Sequence, residues 1–102
     1  MQTKTVITPC GSIVGCVTDY GASFRGVKYA TAKRFEKSVL ITKYDTEQIA
    51  LEQGVCCPQM RAYWNEEHRF YYQEFRKGKS FKYSEDCLIL DIHVPSDAHD
   101  CP

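Results

Sequence analysis

Apolar and polar residues alternate most regularly over residues 83–95, where Leu88, Leu90, Ile92 and Val94 take every second position and Ile89 adds an apolar residue on the other face. A period of two predicts a long strand near 87–94, buried mostly on one side and stopped by Pro95. Its backbone donors and acceptors need neighbours, so the stretch reads as the start of a sheet rather than its finish.

Three shorter extended segments come first. Residues 4–8 carry Val6 and Ile7 among threonines and close at Pro9 and Gly11. Residues 13–19 form the second, with Gly21 supplying the next turn, and residues 22–30 the third, with Phe24, Val27 and Tyr29 as its larger apolar residues. Together they predict a small antiparallel meander. Over 31–46 the periodicity is weak, and Phe35, Val39, Leu40, Ile41 and Tyr44 are the candidate anchors of an irregular crossing. Residues 45–53 offer Asp45 or Thr46 as a cap, an acid at Glu47 and Gly54 behind, a pattern that suits one or two helical turns.

A helix is predicted at about 66–77. Asn65 can cap it, Glu66 and Glu67 suit the positive end of its dipole, Arg76 and Lys77 the negative end, and Gly78 is a left-handed stop. Tyr71, Tyr72 and Phe75 then share one aromatic face. The tail, 96–102, is polar and reads as a surface loop.

At 102 residues, 43% of them hydrophobic and 25% charged, the chain has room for one globular domain. Thirteen basic residues balance thirteen acidic ones, so no field draws the chain to nucleic acid or to an acidic membrane surface, and neither partner is expected. Zero net charge with 13% aromatics instead favours self-association. Six cysteines suit disulfides in an oxidising compartment. The first nine residues hold no apolar run of signal-peptide length, which points to a cytoplasmic chain with reduced thiols, or to a secreted one where the start is misassigned.

Candidate chemistry is sparse. A serine nucleophile on a strained elbow needs Gly-x-Ser-x-Gly, and the nearest strings, around Ser23 and Ser80, place Arg25 and Lys82 where the second glycine belongs. The six glycines are scattered singly, so no phosphate loop is present. Glu66-Glu67 and Glu85-Asp86 read as helix-start and turn charges rather than a converging acid pair. Cys56, Cys57, Cys87, His93, His99 and Cys101 could in principle ligate metal, but adjacent Cys56-Cys57 lacks the spacing of a structural zinc pair, and no metal or other cofactor is expected. His93 falls on the face of its strand opposite the apolar one. The aromatics from Tyr63 and Trp64 to Phe81 and Tyr83 could line a ligand mouth or pack a helix on a sheet.

The stretch Ser84-Glu85-Asp86-Cys87-Leu88-Ile89-Leu90-Asp91-Ile92 closely resembles the Glu-Asp-Cys-Leu signature of type B carboxylesterases, the carboxylesterase, cholinesterase and lipase group of α/β-hydrolases. Further motifs follow the family's order. Gly11 and Gly15 resemble its opening hairpin, residues 24–30 its Phe-x-Gly-Ile-Pro-Tyr-Ala, Arg34-Phe35 its Arg-Phe, and Cys57-Pro58-Gln59 its Cys-Pro-Gln. Lys28 stands where the family usually has proline.

The resemblance implies an α/β fold of which this chain is an N-terminal, β-rich piece: one incomplete domain over 1–102. It implies a disulfide between Cys57 and Cys87, which would stabilise the fold by roughly 3–4 kcal/mol through closing a loop of about 30 residues. It also implies a buried ion pair of Arg34 with Glu85, whose disruption would cost on the order of 3–5 kcal/mol. The implied activity is hydrolysis of small-molecule carboxylic esters through a serine, an acid and a histidine. In the family's order the oxyanion-hole glycines, nucleophile, acid and histidine all follow the signature strand. No residue here, including His68, His93 and His99, is therefore assigned a catalytic role, and the chain alone is expected to be inactive. The alternative is a stand-alone binding or regulatory module derived from an esterase.

Overall fold

The computed structural model describes residues 1–59 and 81–100. They fall into two compact units, one built from Met1–Gly54 with the segment that begins at Leu88, the other from Val55–Cys87.

The first unit is a sheet grown from the predicted meander. β1 (Thr3–Thr8) and β2 (Gly11–Thr18) pair antiparallel from Thr3↔Cys16 to Thr8↔Gly11, and β2 pairs β3 (Gly21–Lys28) over Cys16↔Ser23 to Thr18↔Gly21. Two-residue turns at Pro9-Cys10 and Asp19-Tyr20 fix both registers. Within the first turn the Thr8 hydroxyl donates to the Gly11 carbonyl at 2.8 Å and accepts the Cys10 N–H at 3.2 Å. Short β4 (Ala30–Thr31) and β5 (Val39–Leu40) form a separate antiparallel pair.

Beyond Cys16 the β2–β3 hairpin opens and another strand enters it. β6 (Gln48–Ile49) lies parallel to β2, with Ile13↔Gln48 and Val14↔Ile49 as partners. Ala50 then bridges both sides: its N–H donates to the Val14 carbonyl at 2.8 Å, and its carbonyl accepts the Arg25 N–H at 2.9 Å. The helical turns expected over 45–53 are thus replaced by strand. Local capping signals contribute less than two neighbouring strands that need partners for their backbone groups. At 1% exposure Ala50 is the most enclosed of the described core residues.

β7 (Ile89–Pro95) completes the order β1-β2-β3-β7, antiparallel to β3 from Gly21↔Pro95 to Lys28↔Ile89. Its ladder is interrupted by a bulge: Phe24 faces Ile92 and Val27 faces Leu90, so Arg25 and Gly26 together oppose Asp91. Gly26 has φ +74°, a conformation that favours glycine.

Ile13, Ala22, Phe24, Val27 and Ala50 form the core, with Tyr44 and Val94 packed against it. Phe24 finds its place because Gly15 has no side chain: a Cβ there would overlap the Phe24 ring and approach the Ser23 carbonyl oxygen to 2.7 Å. Tyr44 is tied down by its hydroxyl, which donates to the Lys28 carbonyl at 2.6 Å, and by its N–H to the Cys10 carbonyl at 2.7 Å. Burial, and then Cys10, push the Tyr44 phenol above its usual range.

Several expectations change here. β7 is not buried along one side, since Leu90 and Ile92 are 41% and 40% exposed and only Val94 reaches the core. Of the anchors expected over 31–46, Tyr44 serves, whereas Phe35, Val39 and Leu40 are exposed: Phe35 sits in a turn at φ +66°, and in the β4–β5 pair only Ala30 is buried. Among the described residues there is no helix; the helix predicted at 66–77 lies outside them, as do Trp64 and His68. The part described is β-rich and mostly antiparallel, as expected of a piece of an α/β fold.

Candidate functional site

Two places gather side chains of chemical interest, one in each unit. In the second unit, Cys56 pairs with Tyr83 in a single parallel bridge: the Cys56 N–H donates to the Lys82 carbonyl at 2.8 Å, and the Ser84 N–H to the Cys56 carbonyl at 3.0 Å. Two strings far apart in sequence are thereby aligned, Cys56-Cys57-Pro58-Gln59 and Ser84-Glu85-Asp86-Cys87. The Ser84 hydroxyl accepts the Asp86 N–H at 3.1 Å and sets the turn that leads to Cys87.

Cys57 lies close enough to Cys87 to act on its thiol, and both are free. Burial pushes the Cys87 thiol up, and the adjacent Cys57 and then Asp86 push in the same direction, because each disfavours a second negative charge beside it. Gln59 Nε2 lies 3.8 Å from Cys57 Sγ and donates to the Cys57 carbonyl at 3.3 Å.

Arg34 belongs to the first unit, in a turn closed by the Glu36 N–H to the Lys33 carbonyl at 3.0 Å, and Glu85 to the second. Each side chain is exposed.

The second place is the outer face of the β3–β7 seam, which the sequence did not single out. Register brings Ser23 opposite His93, and Ser23 Oγ lies 3.1 Å from His93 Nδ1. One pair further on, Asp91 Oδ1 accepts the Gly26 N–H at 2.8 Å, and Asp91 Oδ2 lies 3.9 Å from Arg25 Nε. Asp91 thus satisfies the amide that the bulge takes out of the ladder. With Thr18 and Tyr20 these residues line an open cleft of about 630 Å³. One signal was available: Asp91 and His93 share a face of their strand, as Ser23 and Arg25 share a face of theirs. Their partnership depends on the bulge, which alternation does not reveal.

His99 contacts its neighbour, with Nε2 3.2 Å from Asp100 Oδ2 and both side chains 90% exposed. Among the described residues no three His, Cys, Asp or Glu side chains converge so as to hold a metal ion.

None of the curated proteins compared with the chain matches it. The carboxylesterase family, by contrast, is matched over residues 2–102, from the first strand through the thiol pair to the tail beyond β7. With the match spanning nearly every residue and the Glu-Asp-Cys-Leu and Cys-Pro-Gln strings set side by side, the chain belongs to the carboxylesterase family.

Proposed function

We propose that this chain is the N-terminal segment of a serine carboxylic-ester hydrolase and contributes scaffold rather than catalysis. The observation that carries the reading is the family match over 2–102 in a sequence that contains no Gly-x-Ser-x-Gly. A type B esterase attacks small-molecule esters through an acyl-enzyme formed on an activated serine, with backbone donors holding the oxyanion. In this chain the Ser23–His93 contact does not meet those requirements. Ser23 lies within a strand at 8% exposure, not on an elbow, and a strand of paired backbone amides offers no preorganised oxyanion donors.

The purified 102-residue chain is expected to hydrolyse a nitrophenyl ester no faster than buffer. Turnover abolished by a serine-directed organophosphate would overturn the reading.

The Cys57–Cys87 disulfide is part of the same proposal. What supports it is the proximity of the two free thiols, from which an added mild oxidant would take two electrons as two protons leave and the S–S bond forms. After mild oxidation, peptide mass mapping under non-reducing conditions should recover the segments around Cys57 and Cys87 as one linked species. Recovery of both as separate alkylated peptides would argue against it.

A further inference from the structure

The cleft over the β3–β7 seam combines polar groups whose hydrogen-bonding capacity is unevenly used. Asp91 is its acid, and that carboxylate is already engaged: one oxygen accepts the Gly26 N–H at 2.8 Å and the other faces Arg25 Nε at 3.9 Å. Arg25 meets Asp91 through Nε, and its guanidinium carries two further NH₂ groups, with the side chain 42% exposed. Ser23 Oγ and His93 Nδ1 lie 3.1 Å apart, and in the tautomer in which the hydroxyl donates to Nδ1 the ring proton resides on Nε2 and forms another donor. Thr18 and Tyr20 add hydroxyls at the rim, and Val94 and Pro95 add apolar wall.

We propose that this cleft is a binding site for a small monocarboxylate, with the Arg25 guanidinium taking the carboxylate, His93 Nε2 donating to the same group, and the alkyl part lying against Val94 and Pro95. A planar guanidinium matches a carboxylate in a two-point hydrogen bond, which favours this class over other anions of the same charge. Asp91 is a positioning residue: it holds the bulge that carries Arg25, and its own charge weakens the binding of an anion. The proposal stands on the geometry of the seam alone and is independent of the hydrolase reading.

Titration of the 102-residue chain with n-butyrate, followed by amide chemical shifts, tests it. Saturable shifts are expected at Ser23, Arg25 and His93, with n-butylammonium giving none. Arg25→Gln should weaken binding at least about tenfold, the effect of losing a charged two-point contact. Asp91→Asn, which keeps an oxygen for the Gly26 N–H and removes the competing charge, should tighten binding severalfold, a gain that a misfolded variant cannot produce. Absence of saturable shifts, equal binding of n-butylammonium, or an unchanged affinity in Arg25→Gln would each overturn the proposal.

Discussion

Cys87 sits at the meeting of the family signature with the Cys-Pro-Gln string, and its surroundings set its reactivity. Burial is the first influence on its thiol, and Cys57 the second, both acting against ionisation. The thiolate is the species that is alkylated, so a raised pKa leaves less of it at any pH below that value. In the reduced chain, iodoacetamide should therefore modify Cys87 more slowly than a cysteine in a short peptide at pH 8, and the midpoint of its pH–rate profile should lie above the peptide's. Cys57→Ala removes one source of the shift and should move that midpoint down toward the peptide value. A midpoint at or below the peptide's in the parent chain would contradict this account. The same pair shows what residue-level reading can reach. Their partnership was implied by resemblance to a family, whereas the two cysteines by themselves carry no instruction about which thiol each will meet.

Among the elements, the meander was legible because its instructions are local. Turns at Pro9-Cys10 and Asp19-Tyr20 and the apolar positions between them specify β1, β2 and most of β3 without reference to anything distant. β6 was not legible. Its two residues have no periodicity, and the capping pattern around Asp45 and Glu47 favours a helix; what makes it a strand is the gap between β2 and β3, which only the folded hairpin creates. The outer-face cleft was hidden for a related reason, since the bulge at Arg25 and Gly26 decides which side chains of β3 and β7 meet. Gly15 marks where the hairpin opens, and the close approach of Phe24 makes it a sensitive point. Gly15→Ala should destabilise the chain by about 1–3 kcal/mol, the cost of overpacking where neighbouring backbone and ring must shift. Chemical denaturation measures it, and an unchanged midpoint would mean that Phe24 is free to move aside.

For the molecule as a whole, the balance of burial and charge decides its solution behaviour. Among the described residues only seven hydrophobic side chains are buried, five of them in one cluster, while Leu90 and Ile92 of β7, together with Ile7, Val39, Leu40 and Ile49, stay exposed. Formal net charge is zero, so no long-range repulsion keeps copies apart. Reversible self-association is therefore expected in sedimentation velocity, with an average mass that rises with concentration. Ile92→Lys places a charge on the exposed strand and should shift the distribution toward monomer. A parent chain that sediments as monomer throughout would show that these side chains do not act together as a sticky face.

Gly54, the last residue of the first unit before the chain departs, lies against Ile89, one residue after it returns: a Cβ on Gly54 would overlap the Ile89 side chain. The first unit therefore breaks off at Gly54 and resumes at Leu88 with its two ends meeting at one neck. Closing a chain between two points already held together costs entropy that grows slowly with length, about 0.6 kcal/mol per doubling. Chain could be added or removed between those two points while the strands on either side keep their register, which makes this neck the natural place for the scaffold to vary.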